Sequence, residues 1–131
     1  MFQIIKSSSK IEFMAKIIQV INTMIVNADK ISNVISSDQE YFFLYDNEYK
    51  WSMSKGKDEE DEYLLLFYPN PNDTIDDILI VQDWINYPFT SYKVSDFKTT
   101  EALESFRELF GLLKGKVFGV DDIFDDIIKG Q

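Results

Sequence analysis

Residues Asp58 to Asn72, DEEDEYLLLFYPNPN, set the strictest limit on how this chain can fold. Five acids, Asp58, Glu59, Glu60, Asp61 and Glu62, run directly into Tyr63 to Tyr68, which are all apolar or aromatic, and Pro69 and Pro71 close the segment. Side chains alternate between the two faces of a strand, so a strand that is apolar at every position must be covered on both sides. The acidic run cannot follow it inside, because an unpaired carboxylate loses far more hydration than packing returns. The stretch reads as an exposed acidic loop feeding a buried, central strand.

Its neighbours supply partners for that strand. Glu40 to Asp46, EYFFLYD, is rich in aromatic residues, and Tyr49, Trp51 and Met53 alternate with Lys50, Ser52 and Ser54. This alternation predicts a strand with one dry and one wet face, and Asp46, Asn47 and Glu48 form the turn before it. Gly56 marks the next turn. Phe89 to Val94 follows Pro88 as a further strand, at an edge because Thr90 and Lys93 put polar groups on both faces. Short connections make an antiparallel meander the simplest arrangement.

The helices flank these strands. Ser9 and Glu12 fit a capping box and place a helix start near Lys10. Ile11, Met14, Ile18, Ile21, Ile25 and Ala28 form one apolar seam, and Phe13, Ile17, Val20 and Met24 form a second beside it. Such a helix is buried on two sides, within its own domain or against another copy. Asn27 to Lys30 is the expected break, with a short second helix ending before Ser36. Thr74 with Asp77 caps a short helix, although Ile75 to Trp84 also suits a strand. Thr99 or Thr100 opens a helix whose stripe is Ala102, Leu103, Phe106, Leu109, Phe110 and Leu113, and Lys114 with Gly115 is its expected end. A last helix covers Asp121 to Lys129, with Ile123, Phe124, Ile127 and Ile128 facing inward. The expected fold is α+β: an antiparallel sheet of about four strands with a long N-terminal helix and a C-terminal helical layer, in a single domain spanning 1–131.

Charge and residue usage narrow the chemistry. Residues 1–57 carry six acids and seven bases, whereas 58–131 carry seventeen acids and six bases, for a net charge of −10. So negative a surface repels nucleic acid and anionic membranes and favours basic proteins. The chain has no cysteine and no histidine. Disulfides, thiolate sites, cysteine nucleophiles and histidine-based triads are thereby excluded. No catalytic residue, cofactor or metal site is expected. Lys6, Lys10 and Lys16 precede Ile17 to Val26, but Glu12, Gln19, Asn22 and Thr23 interrupt any secretory core, so a cytoplasmic protein is expected.

Two acidic groups are candidate partner-binding sites. Asp121, Asp122, Asp125 and Asp126 stack at i, i+4 spacing, and each like-charge pair costs a helix about 0.2–0.5 kcal/mol. Residues that work against local stability are where function concentrates. The second group, Asp58, Glu59, Glu60, Asp61 and Glu62, is either a partner site or a charged guard that keeps the aromatic hairpin from aggregating. In size, acidity and lack of catalytic side chains the chain resembles the small bacterial immunity proteins that inhibit nuclease toxins, a likeness of character that covers no motif. It implies a non-catalytic acidic protein that neutralises a basic partner, such as a toxin domain or a nucleic-acid-binding protein. Two other readings are a DNA-mimicking inhibitor of the anti-restriction or anti-CRISPR type, and an adaptor that dimerises through Ile11 to Ala28.

Overall fold

The structure is a computed structural model that describes residues 2–57 and 61–130, with side chains from residue 10 onward except at 120 and 121. Five strands, β1 (Ile31–Ser37), β2 (Glu40–Tyr45), β3 (Tyr49–Lys55), β4 (Tyr63–Tyr68) and β5 (Thr90–Lys93), form one sheet in that order. Every neighbouring pair is antiparallel, so the sheet is a meander. β4 has a strand on each side, as its two apolar faces demand, and β5 lies at an edge. With its flanking helices this is an α+β fold.

The sheet has one strand more than the sequence suggests, because Ile31–Ser37 is β1 and not a short second helix. Ile31, Val34 and Ile35 are β-branched and suit a pleated surface. The strand finds its partner through Asp38 and Gln39, which both take positive φ (50° and 68°) between the paired residues Ser37 and Glu40. Two left-handed residues in a two-residue loop match the twist of the strands they join. The usual glycine is missing, so the hairpin carries no sequence signature. Within β1 the register shifts between Ser32 and Ile35, where Asn33 has φ 53°.

One face of the sheet carries Phe43, Trp51, Met53, Tyr63 and Leu65. Two helices cover it, α1 (Phe2–Val26) with Ile17, Ile21 and Met24, and a second described below with Phe106, Leu109 and Leu113. α1 begins at Phe2, not near Lys10, because nothing between Phe2 and Ser9 breaks a helix, and Ser9 and Glu12 lie inside it. Its outer part leaves Ile11 and Phe13 exposed, and Val26 ends it before a tight 3-10 turn at Ala28–Lys30. The opposite face carries Phe42 and Tyr68 and receives Ile75 and Ile78 from α2 (Ile75–Leu79). α2 is held by a reciprocal cap: Thr74 Oγ1 accepts from Asp77 N at 3.2 Å, and Asp77 Oδ2 accepts from Thr74 N at 2.9 Å.

After β5, the one-turn α3 (Val94–Phe97) leads into α4 (Thr100–Phe118), whose cap is Thr99, accepting from Ala102 N at 3.1 Å. α4 runs through Gly115, where the sequence suggests a stop. An interior glycine costs a helix only about 0.5–1 kcal/mol, whereas termination is set by a left-handed residue, here Gly119 at φ 63°. The chain continues at once into α5 (Val120–Lys129).

The Asp38–Gln39 turn yields a stability prediction. A side chain in the left-handed region costs roughly 1 kcal/mol or more, so Gln39→Gly should stabilise the protein by about 0.5–1 kcal/mol. Urea denaturation would then show a higher midpoint with an unchanged slope.

Candidate functional site

The expected site residues separate into different places. Asp58, Glu59 and Glu60 lie outside the described residues. Asp61 is exposed and accepts from Arg107 Nη2 on α4 at 2.8 Å, an exposed ion pair that solvent screens. Glu62 closes the base of its loop through its carbonyl, which accepts from Gly56 N at 2.8 Å. Asp121 lies on α5, and Asp122, Asp125 and Asp126 are exposed along the same helix.

α5 departs from expectation in the way that matters most. Ile123, Phe124, Ile127 and Ile128 do not face inward: they are 52%, 57%, 62% and 66% exposed, and Phe118 beside them is 62% exposed. The physical reason is supply. α1 and α4 already cover the helix-facing side of the sheet, and the left-handed Gly119 turns the chain away from it. A strongly amphipathic helix is left with its apolar ridge in solvent, and exposed apolar patches of this kind mark interaction surfaces.

Behind the ridge, a cleft of about 750 Å³ separates α5 and the end of α4 from β1. Ile31, Val34 and Leu112 give it apolar walls, and Asp29, Asp122 and Asp125 line it with carboxylates. Sequence reasoning had no way to include Asp29, which reaches the cleft only because the 3-10 turn places it there. Phe118 was missed because the helix was expected to end before it. Among the described residues no group of three or more acids is placed to hold a metal ion.

The opposite face of the sheet holds a second polar arrangement. Lys50 and Ser52, expected on a wet face, are 5% and 0% exposed, because α2 and the segment after it roof that side of β3. Ser52 Oγ donates to Glu40 Oε2 at 2.5 Å and lies 2.7 Å from Tyr68 Oη. Lys50 Nζ donates to the Asn70 carbonyl at 2.8 Å, and Tyr87 Oη donates to Asp73 Oδ2 at 2.5 Å. Burial pushes the Tyr68 phenol well above its usual range, against the pull of its Ser52 bond. Burial does the same for Tyr87, followed by the neighbouring Asp73 carboxylate. Trp51 is core as expected, whereas Trp84 is 38% exposed and packs edge-on against Tyr87 and Phe89. Among the described residues, nothing pairs with the buried Trp51 Nε1.

Comparison with protein-family models, curated proteins and solved structures finds no match for this chain. No helix is long and apolar enough, among the described residues, to cross a membrane.

The two phenols predict an alkaline limit to stability. Both are held protonated in the fold and ionise near the ordinary value of about 10 once unfolded. Their folded pKa is raised, so their contribution is complete below about pH 10 and is lost as pH rises above it. Absorbance titration of the parent against Tyr68→Phe and Tyr87→Phe should place both phenols above the ordinary tyrosine range. The double variant Tyr68→Phe/Tyr87→Phe should lose less stability between pH 9 and pH 11, about either side of that value, than the parent does.

Proposed function

We propose that the protein is a non-catalytic binding module that neutralises a basic protein partner, and that α5 is the element it docks with. The observation that carries this reading is the exposed ridge of Ile123, Phe124, Ile127 and Ile128 on a helix whose remaining surface includes Asp122, Asp125 and Asp126. An amphipathic helix of this form fits an apolar groove with a cationic rim. Full burial of an isoleucine or phenylalanine side chain stabilises by about 1.5–3 kcal/mol, so two or three anchors reach the scale of an interface hot spot. The carboxylates then find countercharge, which speeds encounter and selects the partner.

Charge argues against the other occupants. A second copy would bring two such helices together at a net charge of −10 per chain. Dimerisation through Ile11 to Ala28 has less surface to use, since Ile17, Ile21 and Met24 belong to the protomer's own core. The immunity-protein role, inhibition of a nuclease-type bacterial toxin, matches the combination best, because a nuclease must carry a basic cleft. A DNA mimic is disfavoured by the same ridge, since a phosphate-binding cleft offers isoleucine and phenylalanine no apolar counterpart.

Parallel pull-downs from the source organism with the parent, Phe124→Ser/Ile127→Ser and Asp122→Lys/Asp125→Lys test the reading. A basic protein should be retained by the parent at low salt, retained at least tenfold less by the ridge variant, and weakened by the charge variant. The substituted positions are exposed, so each change should shift stability by no more than about 0.5 kcal/mol. Equal retention by all three proteins sinks the proposal. Sedimentation at two concentrations should show a monomer, and a dimer lost with the ridge variant would make a second copy the occupant instead.

A further inference from the structure

We infer that the roofed face of the sheet holds a binding site for a small zwitterion with an apolar body, of the leucine class of α-amino acids. A groove of about 410 Å³ opens there between β1, the β2–β3 turn and the segment leading into α2. That volume lies in the range of roughly 300–1,000 Å³ typical of small-ligand sites. Ile35, Leu44 and Ile75 line it with apolar surface, and Lys50 lines it as well.

Lys50 is the group that points to a ligand. It is 5% exposed, gives one hydrogen bond, to the Asn70 carbonyl, and makes no ion pair among the described residues. An ammonium has three donors and a full charge, and a single carbonyl leaves two donors open and the charge without a close ion pair among the described residues. A carboxylate completes that set. Glu48 and Asp76, both exposed, line the same groove, so it repels a dianion such as a phosphate ester and attracts an ammonium. Asp73 lines it too, but its Oδ2 already accepts from Tyr87 Oη at 2.5 Å and from Asn70 Nδ2 at 3.2 Å. One carboxylate, one ammonium and an apolar side chain together describe an apolar amino acid.

Isothermal titration of the full chain with leucine, leucinamide, N-acetylleucine and isocaproate tests the assignment. Leucine should bind saturably, and each analogue lacking one charge should bind at least tenfold more weakly. Lys50→Met should abolish binding. Should that variant fail to fold, Glu48→Gln/Asp76→Asn on the exposed rim should weaken leucine several-fold and strengthen isocaproate, whose carboxylate the two acids repel. Amide shifts on titration should concentrate at Leu44, Asn47 and Thr74. Absence of saturable leucine binding, or leucine binding that the rim variant leaves unchanged, overturns the proposal. So does N-acetylleucine binding as well as leucine, which would make the C terminus of a peptide the ligand.

Discussion

The apolar character of β4 on both faces is the constraint from which the rest of the molecule follows. A sheet built around such a strand has two faces to dry, and this chain has long helices for only one. α1 and α4 take the face that carries Phe43, Met53 and Leu65, and there the packing is mainly apolar, with Ser105 Oγ donating to Asn22 Oδ1 at 2.7 Å between the two helices. The other face receives one short helix and a cluster of aromatic rings. What apolar mass cannot cover there, hydrogen bonds must satisfy, which is why Lys50, Ser52, Glu40 and Tyr68 meet under that roof. The same shortage leaves the groove beside Lys50 unfilled.

Stability and surface charge are consequently separable. The apolar clusters draw on residues from α1 to α4, whereas the exposed acids contribute little: the described residues contain one ion pair, Arg107 with Asp61, and it is exposed. Surface pairs of that kind are screened by solvent and add little. The charge of the second half of the chain can therefore serve recognition without the fold depending on it. α5 makes the separation plain, since its described side chains are exposed on every side of the helix.

Local signals were legible in the sequence, and relations between elements were not. The strand at Tyr49 to Met53, the Thr74–Asp77 cap and the Thr99 cap are each written within a few residues, and each stands in the structure, although the dry and wet faces of that strand do not: Tyr49 is exposed, and Lys50 and Ser52 are buried. β1 escaped notice because its turn uses Asp38 and Gln39 where glycine is the usual marker. Alternation also told which side of β3 carries Lys50 and Ser52, but not that α2 would fold over that side. For α5, periodicity identified the apolar stripe correctly. Whether a stripe finds the core depends on how much core surface other helices have already taken, and that is a property of the whole fold. Asp122 and Asp125 were recognisable as unusual, but their cleft exists only because Asp29 and β1 stand opposite.

Gly119 then decides what α5 becomes. As the cap of α4 it holds φ 63°, and α5 starts from it, with Ile123 N donating to its carbonyl at 3.0 Å. One residue thus ends one helix and aims the next. Had Phe118 been followed by a residue confined to negative φ, the helical path would have continued along α4, with no cleft beside β1. A Cβ at Gly119 would meet no other atom within 4 Å, so the restriction there comes from backbone conformation and not from crowding. The direction of the exposed ridge rests on that single conformational preference, worth about 1–2 kcal/mol per residue. It is enough to bias where α5 points, and small enough for new contacts on the exposed ridge to adjust that direction.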